Sequence, residues 1–233
     1  MQAAAVSSTP DLERLRRTMA DCQLRTFDIT NAAVIDAFEA VPREKFVSPA
    51  DVAVAYSDAI LSASAGGTER ALLAPMVLAR LLQGADITAG DKVLDVAGGL
   101  GYSAAVLARL AADVTSLDVE AGFAVSANGA FAALGATNAR AVTGPLEKGW
   151  AAKAPYDLIL VNGAVEEGYE PLFDQLAPGG RLIAVVRHPG QTGRAAKAMR
   201  FDRLPSGVIA RKWLFDAAAT TLKPFARVPA FVF

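Results

Sequence analysis

Val93-Leu94-Asp95-Val96-Ala97-Gly98-Gly99-Leu100-Gly101-Tyr102 reads as a buried strand running into a glycine turn and the first residue of a helix. Asp95 sits near the end of that strand. A second acid, Asp118, closes the next apolar run 23 residues further on (118 − 95). That interval suits one strand–helix–strand step. The layout holds a nucleotide-sized cofactor over the carboxyl edge of a parallel sheet. Ala97 stands where a glycine is expected.

Outward from this turn the pattern alternates. Apolar runs at 93–97, 113–118, 157–162 and 181–186 read as buried parallel strands, with 139–142 a shorter candidate. Helical stretches near 102–111, 121–134 and 168–176 separate most of them. After Val186 the order changes. Residues 195–203 and 208–216 read as two strands joined by Leu204-Pro205-Ser206-Gly207, an antiparallel hairpin. Phe231-Val232-Phe233 is expected to add a terminal strand or plug. Before the turn the chain reads as helical. Asp11 caps a helix to about Cys22, Thr30 caps a second bearing Val34, Ile35 and Phe38, and Pro75 opens a third. Residues 44–73 read as irregular, and residues 1–9 as frayed.

Composition narrows the class. The chain has 233 residues, 53% hydrophobic and 20% charged, with a formal net charge of −1. This is one sizeable folded core without a global basic field, so neither disorder nor a dedicated nucleic-acid binder is expected. Cys22 and His188 are the only residues of their types. Internal disulfides and Cys/His metal clusters are therefore excluded. Cys22 is expected to be a small buried apolar residue, and His188, before Pro189-Gly190, a surface residue. No apolar run reaches membrane-spanning length, and the first residues lack a basic-plus-apolar leader pattern. A soluble cytoplasmic protein is expected.

The turn carries the chemistry. Glycines let backbone approach a ligand, and the following helix presents free N–H groups and its positive dipole end. A carboxylate ending the second strand can accept both ribose hydroxyls, the role expected of Asp118; the bland alternative is a solvated loop acid. Gly99-Leu100-Gly101-Tyr102-Ser103-Ala104 also fits a dinucleotide pattern of the G-x-G-x-x-A kind. Asp95, however, lies inside the strand end, placed for an ammonium group. S-adenosylmethionine has that ammonium and NAD does not, so the reading favours S-adenosylmethionine.

Longer motifs add a family. Asp21-Cys22-Gln23-Leu24-Arg25, Val34-Ile35-Asp36-Ala37-Phe38, Val41-Pro42-Arg43-Glu44-Lys45-Phe46-Val47 and Ala55-Tyr56-Ser57-Asp58 occur in order. Leu134-Gly135-Ala136-Thr137-Asn138, Gly149-Trp150, Ala154-Pro155-Tyr156-Asp157 and Gln175-Leu176-Ala177-Pro178-Gly179-Gly180-Arg181-Leu182 follow. Together with 93–102 they resemble the protein-L-isoaspartate O-methyltransferase family over nearly the whole chain. The resemblance implies an α/β, Rossmann-like methyltransferase fold: a mostly parallel sheet, a C-terminal antiparallel hairpin and an N-terminal helical region. It implies one domain over 1–233, with a substrate-side part at 10–84 and a cofactor-binding core at 85–233. The implied activity is methyl transfer from S-adenosylmethionine to the free carboxylate of an isoaspartyl residue in a protein or peptide. The methyl ester then cyclises and hydrolyses unaided, partly restoring aspartate. Asp95, Ala97, Gly98, Gly99, Gly101, Tyr102, Asp118 and Leu146 fall on the cofactor side. Tyr56, Asp58 and Asn162 fall on the substrate side, with Arg43 in the same loops, where local salt bridging is an equal reading. Glu166 and Glu167, beside Asn162, are expected to be solvated. No metal, nucleic acid or membrane partner is implied.

The chain departs from the family pattern at three contact points. The Thr-Ile-Ser-x-Pro run becomes Ala71-Leu72-Leu73-Ala74-Pro75, replacing the serine near the acceptor by Leu73. A hydroxyl donor to a buried carboxylate contributes on the order of 1.5–3 kcal/mol. Gly-Asp-Gly becomes Gly144-Pro145-Leu146, so adenine would meet the Leu146 N–H and side chain in place of a carboxylate. Ala97 is the third, costly if φ is positive there. The departures keep two rivals open: a methyltransferase with a different acceptor, and a non-catalytic binding protein on the same fold.

Overall fold

The computed structural model describes residues 11–188 and 195–228. Strands β3 (Lys92–Val96), β4 (Asp113–Asp118), β5 (Ala139–Thr143), β6 (Tyr156–Val165), β7 (Leu176–Val186), β8 (Ala195–Arg203) and β9 (Ile209–Ala218) form one sheet in the order β5-β4-β3-β6-β7-β8-β9. Pairing is parallel from β5 to β7 and antiparallel across β7–β8–β9. The order reverses around β3, so the crevice at a topological switch point opens beyond its carboxyl end.

Alternation along the parallel strands divides the core in two. Val93, Val114, Leu158, Leu160, Ile183 and Val185 face one side, and Leu94, Val96, Leu117, Ile159, Val161 and Leu182 the other. All the α-helices lie on the first side. They are α1 (Leu12–Met19), α2 (Ala32–Ala40), α3 (Pro75–Gly84), α4 (Tyr102–Leu107) and α5 (Ala121–Ala133). In α5, Phe123, Ala127 and Phe131 recur every fourth residue and are buried. The second side is covered by short 3-10 turns at 146–148, 170–175 and 223–225, with Trp150 and Ala154 packed beside them. Residues 170–175 are thus a 3-10 turn where the sequence reads as a helix over 168–176.

The N-terminal reading needs several corrections. Asp11 does cap α1, accepting from the Arg14 N–H at 3.1 Å. The cap of α2, however, is Asn31, which accepts from Val34 N–H; the N–H groups of Thr30 and Asn31 both donate to Gln83 Oε1. Cys22 is exposed, because α1 widens into a π-turn over 20–24 that buries Ala20 and Leu24 instead. Residues 44–73 are not irregular throughout. β1 (Leu61–Ala65) and β2 (Thr68–Leu72) pair antiparallel around Gly66-Gly67, whose φ values of 56° and 83° suit a tight two-residue hairpin. His188 is exposed, while 189–194, 229–233 and residues before 11 lie outside the described residues, including Phe231-Val232-Phe233.

Candidate functional site

β3 delivers the chain to the crevice and the turn after it is fixed by backbone bonds. The N–H groups of Ala97 and Gly98 both donate to the Leu117 carbonyl, at 2.9 and 3.3 Å. Gly101 N–H then closes on the Gly98 carbonyl at 2.9 Å, and Gly101 starts α4 with φ 92°. A Cβ on Gly101 would sit 2.9 Å from Phe131 and Ala127, so this glycine lets α5 pack against the turn. Gly98 is half-buried, and a Cβ there would overlap the Ser116 hydroxyl and lie 2.6 Å from Asp95 Oδ2.

Ala97 takes φ 60°, so the left-handed conformation is real and no glycine relieves it. The strain costs about 1–2 kcal/mol. Its methyl group is buried among Leu94, Val96 and Leu117, which returns about 0.8 kcal/mol, and alanine loses less backbone entropy than glycine by about 0.5–1 kcal/mol. These terms nearly cancel. Ala97→Gly is expected to change unfolding free energy by less than about 1 kcal/mol in urea titration; a gain well above that would show that the strain dominates.

Asp95 lies beneath the turn, fully buried. Its Oδ2 accepts from Ser103 Oγ at 2.8 Å and Ser116 Oγ at 3.3 Å, and its Oδ1 accepts from Asn162 Nδ2. Both oxygens are therefore committed to protein donors, which corrects the expectation that Asp95 faces a ligand ammonium. Its role here is to brace the turn from below. Burial pushes its carboxyl up to about 7, against the opposing pull of Ser103, Asn162 and Ser116. A folded-state value above the unfolded one means that the fold prefers the protonated form. Stability is then full below about pH 4 and is lost as pH rises through about 7. Between pH 5 and 8 the loss is on the order of 2–3 kcal/mol. Asp95→Asn keeps the shape without the charge. Its melting temperature is expected to fall less than the parent's over that range, and equal slopes would exclude Asp95 as the responsible group.

Asp118 ends β4 as expected but is not a solvated acid. It is 3% exposed and bound in a fork by Arg70, with Nε–Oδ2 and Nη2–Oδ1 both 2.9 Å. Gly99 N–H donates to Oδ2 at 3.0 Å and Val119 N–H to Oδ1 at 2.7 Å. Arg70 belongs to β2, and the hairpin tip is held beside it, where Thr68 Oγ1 donates to Glu120 Oε1 at 2.8 Å.

Two compartments adjoin this cluster. One, about 20 Å³, is enclosed by Leu72, Leu73, Leu78, Ala97, Gly98, Gly99, Tyr102, Ser103 and Asn162. The other is a cleft of about 650 Å³ between the hairpin and residues Thr220–Pro224. Arg70, Ala71 and Asn162 line both. Small-molecule sites span roughly 300–1,000 Å³, so the cleft is large enough for one and the small compartment is not.

The structure thus gathers Asp95, Ala97, Gly98, Gly99, Tyr102, Asn162 and the departure residue Leu73 at one place. The remaining expected site residues have other contacts. Tyr56 is buried, its hydroxyl donating to Glu44 and accepting from Arg16 at 3.5 Å. Asp58 accepts from Met76 N–H at 3.1 Å, capping α3 from a distance. Leu146 is fully buried in the core of the helix-free side, so its side chain is not free to cover an adenine ring. Arg43 pairs with no carboxylate among the described residues. It is fully buried, donating to the Ala55 and Leu73 carbonyls at 2.9 Å each, with its guanidinium 4.7 Å from the Tyr102 ring centre. Glu166 is not freely solvated either: it pairs with Arg187 at 3.5 Å and accepts from Arg227 N–H at 2.8 Å, while exposed Glu167 meets Arg227 at 3.4 Å. Arg70, Glu120 and Thr220–Lys223 were invisible to motif reading. The available signal for Arg70 is a cation immediately before the apolar run Ala71-Leu72-Leu73. No group of three or more His, Cys, Asp or Glu among the described residues could hold a metal, and no helix among them is long and apolar enough to cross a membrane.

Comparison with known proteins bears on this geometry. A model of the protein-L-isoaspartate(D-aspartate) O-methyltransferase family matches residues 17–215. The protein-L-isoaspartate O-methyltransferase of Methylorubrum extorquens is 39% identical over 181 residues, 78% of either chain. That of Gloeobacter violaceus is 36% identical over 194 residues, 83% of this chain and 92% of its own. A solved protein-L-isoaspartate O-methyltransferase superposes with TM-score 0.77 at 25% identity, over 89% of this chain and 65% of its own. A structure from Plasmodium falciparum, described as a putative enzyme of this kind in complex with S-adenosyl-L-homocysteine, has the same fold (TM-score 0.73, 19% identity, 93% and 100% coverage).

Proposed function

The chain belongs to the protein-L-isoaspartate O-methyltransferase family, and from that membership we infer that it transfers a methyl group from S-adenosylmethionine to the free carboxylate of isoaspartyl residues. The observation that supports this most directly is the glycine turn, tied to the Asp118 carboxylate by Gly99 N–H, whose small compartment shares Arg70, Ala71 and Asn162 with a cleft of about 650 Å³. The donor set fits an adenosyl ligand. A carboxylate ends β4, a glycine N–H meets it, and Gly98 and Gly99 line the adjoining compartment without a side chain. Asp118, Gly98, Gly99 and Gly101 would hold the cofactor. Asn162, on the wall shared by the two compartments, is the substrate-side residue.

When bound, the sulfonium cofactor supplies an electrophilic methyl group and a neutral thioether leaving group. The acceptor carboxylate is already ionised at neutral pH, so no residue has to remove a proton. What the protein contributes is alignment and exclusion of water. Leu72, Leu73 and Tyr102, all buried, give the small compartment its apolar wall. The expected partners are damaged proteins and peptides, and the expected role is repair. A cytoplasmic setting suits a chain of 233 residues whose only cysteine is exposed. Residues 10–84 would form the substrate side, since Ile60, Ser62 and the hairpin line the cleft.

Incubation with methyl-labelled S-adenosylmethionine and an isoaspartyl peptide tests the reading. Label is expected on that peptide and not on its normal aspartyl twin; equal or absent labelling of the pair would count against it. The substitution of Leu73 for a hydroxyl residue favours a second reading, a different carboxylate acceptor, which label on another substrate alone would support. Asp118→Ala is expected to weaken S-adenosylhomocysteine binding at least about tenfold by calorimetry, the effect of losing a charged acceptor for two hydroxyls. Unchanged affinity would remove Asp118 from the site.

A further inference from the structure

We propose that Arg70 is the ligand for the acceptor carboxylate, and that it is exchanged between Asp118 and that acceptor. The inference rests on the carboxyl methyl transfer argued above and adds to it the residue that receives the substrate. Four observations carry it.

The first is the fork. Both Arg70–Asp118 contacts are 2.9 Å and both side chains are buried. A planar guanidinium matched to a carboxylate in this way is matched equally to the carboxylate of an acceptor. The second is saturation. Asp118 already takes two donors from Arg70, one from Gly99 and one from Val119. A carboxylate offers about four acceptor sites, so it cannot hold Arg70 in this fork and two ribose hydroxyls at once.

The third observation is position. Arg70 lies on the wall common to the glycine-turn compartment and the cleft. Lys223 is the other cation lining the cleft, and it is exposed at the rim while Arg70 is buried. The fourth is the missing hydroxyl. Leu73, three residues along from Arg70, offers an anionic substrate no side-chain donor, so a cation from the adjoining strand takes over that recognition. Cofactor binding alone draws Asp118 out of the fork, and the acceptor carboxylate then restores a partner to the buried guanidinium, which relieves the cost of an unpaired buried charge. Acceptor binding is thereby linked to cofactor binding.

Calorimetry on the full chain tests this with wild type, Arg70→Gln and Arg70→Lys. S-adenosylhomocysteine is titrated first, then an isoaspartyl peptide into protein saturated with it. Arg70→Gln is expected to bind S-adenosylhomocysteine several-fold more tightly, because Asp118 is no longer contested, and the peptide at least about tenfold more weakly. In turnover the same variant is expected to raise KM for the peptide about tenfold with a smaller change in kcat. Arg70→Lys, which keeps the charge without the fork and guards against a folding defect in the glutamine variant, is expected to fall between. Unchanged or weaker S-adenosylhomocysteine binding in Arg70→Gln, or equal peptide binding by it and wild type, would overturn the proposal. A loaded wild type that neither binds nor methylates the peptide would overturn the function reading itself, and the acceptor role of Arg70 with it.

Discussion

Gly98→Ala is expected to lower the melting temperature by roughly 10 °C and to abolish measurable S-adenosylhomocysteine binding. The new methyl group would overlap the Ser116 hydroxyl and press on Asp95 Oδ2 from 2.6 Å. Neither atom can yield cheaply. Ser116 moves only by giving up its hydrogen bond to Asp95, and Asp95 is held on its other oxygen by Asn162. Overpacking costs about 1–3 kcal/mol and a lost hydrogen bond to a buried charged group about 1.5–3 kcal/mol. Together these amount to about 2.5–6 kcal/mol, at about 2–4 °C per kcal/mol for a chain of this size. Relief by movement of the turn instead would carry Gly99 N–H away from Asp118, which is why binding suffers along with stability. Ser116→Ala added to Gly98→Ala removes one of the two clashing atoms. The pair is expected to be less unstable than the sum of its parts. Additive effects in thermal melts would show that the turn does not bear on Ser116.

Arg43→Ala is expected to cost about 3–5 kcal/mol, because it truncates a fully buried side chain and leaves two buried carbonyls without a donor. Arg43 is a brace. One nitrogen donates to the Ala55 carbonyl and another to the Leu73 carbonyl, tying the 43–55 segment to the end of β2. Burial draws the guanidinium below its ordinary value, and its two carbonyl acceptors and the Tyr102 ring are what keep a charge tolerable there. Tyr102 is in turn packed edge-on against Phe38 and Phe46. Arg43→Met restores much of the volume and none of the bonds. It is expected to recover only part of the loss, because two buried carbonyls stay unpaired at about 1–3 kcal/mol each. Chemical denaturation of the three proteins measures the difference; full recovery in the methionine variant would make packing the whole of the effect.

The sequence was most legible where periodicity and glycine chemistry coincide. The strand at 92–96, its turn and the following helix were visible because apolar runs and positive-φ glycines are local signals. The hairpin at 61–72 was hidden although Gly66-Gly67 is a good turn, because Ser62, Ala63 and Ser64 have little strand preference and their partners supply the order. Thr30 reads as a cap from its residue type, but its N–H donates to Gln83, 53 residues on, a contact that no local pattern signals, and Asn31 takes the cap. The same limit applied at the site. Asp118 was legible as the acid ending a strand. Its partner Arg70 lies 48 residues earlier on an element that local patterning did not reveal. Asp95 was legible as an acid at the turn, but its three donors come from α4, β4 and β6, so only the assembled sheet shows that it faces inward.

The uneven covering of the sheet has a consequence for how this chain can vary. On the helical side a substitution must respect a ladder of i→i+4 bonds and the spacing that seats Phe123, Ala127 and Phe131. On the other side the backbone is held turn by turn. A proline there deletes no ladder bond. Pro145, with φ −69° and an exposed ring, sits immediately before a three-residue turn that starts at Leu146. The side that meets the end of β5 can therefore change its ligand contacts without a toll on folding, and the helical side cannot. Divergence in what this scaffold recognises has an open margin there.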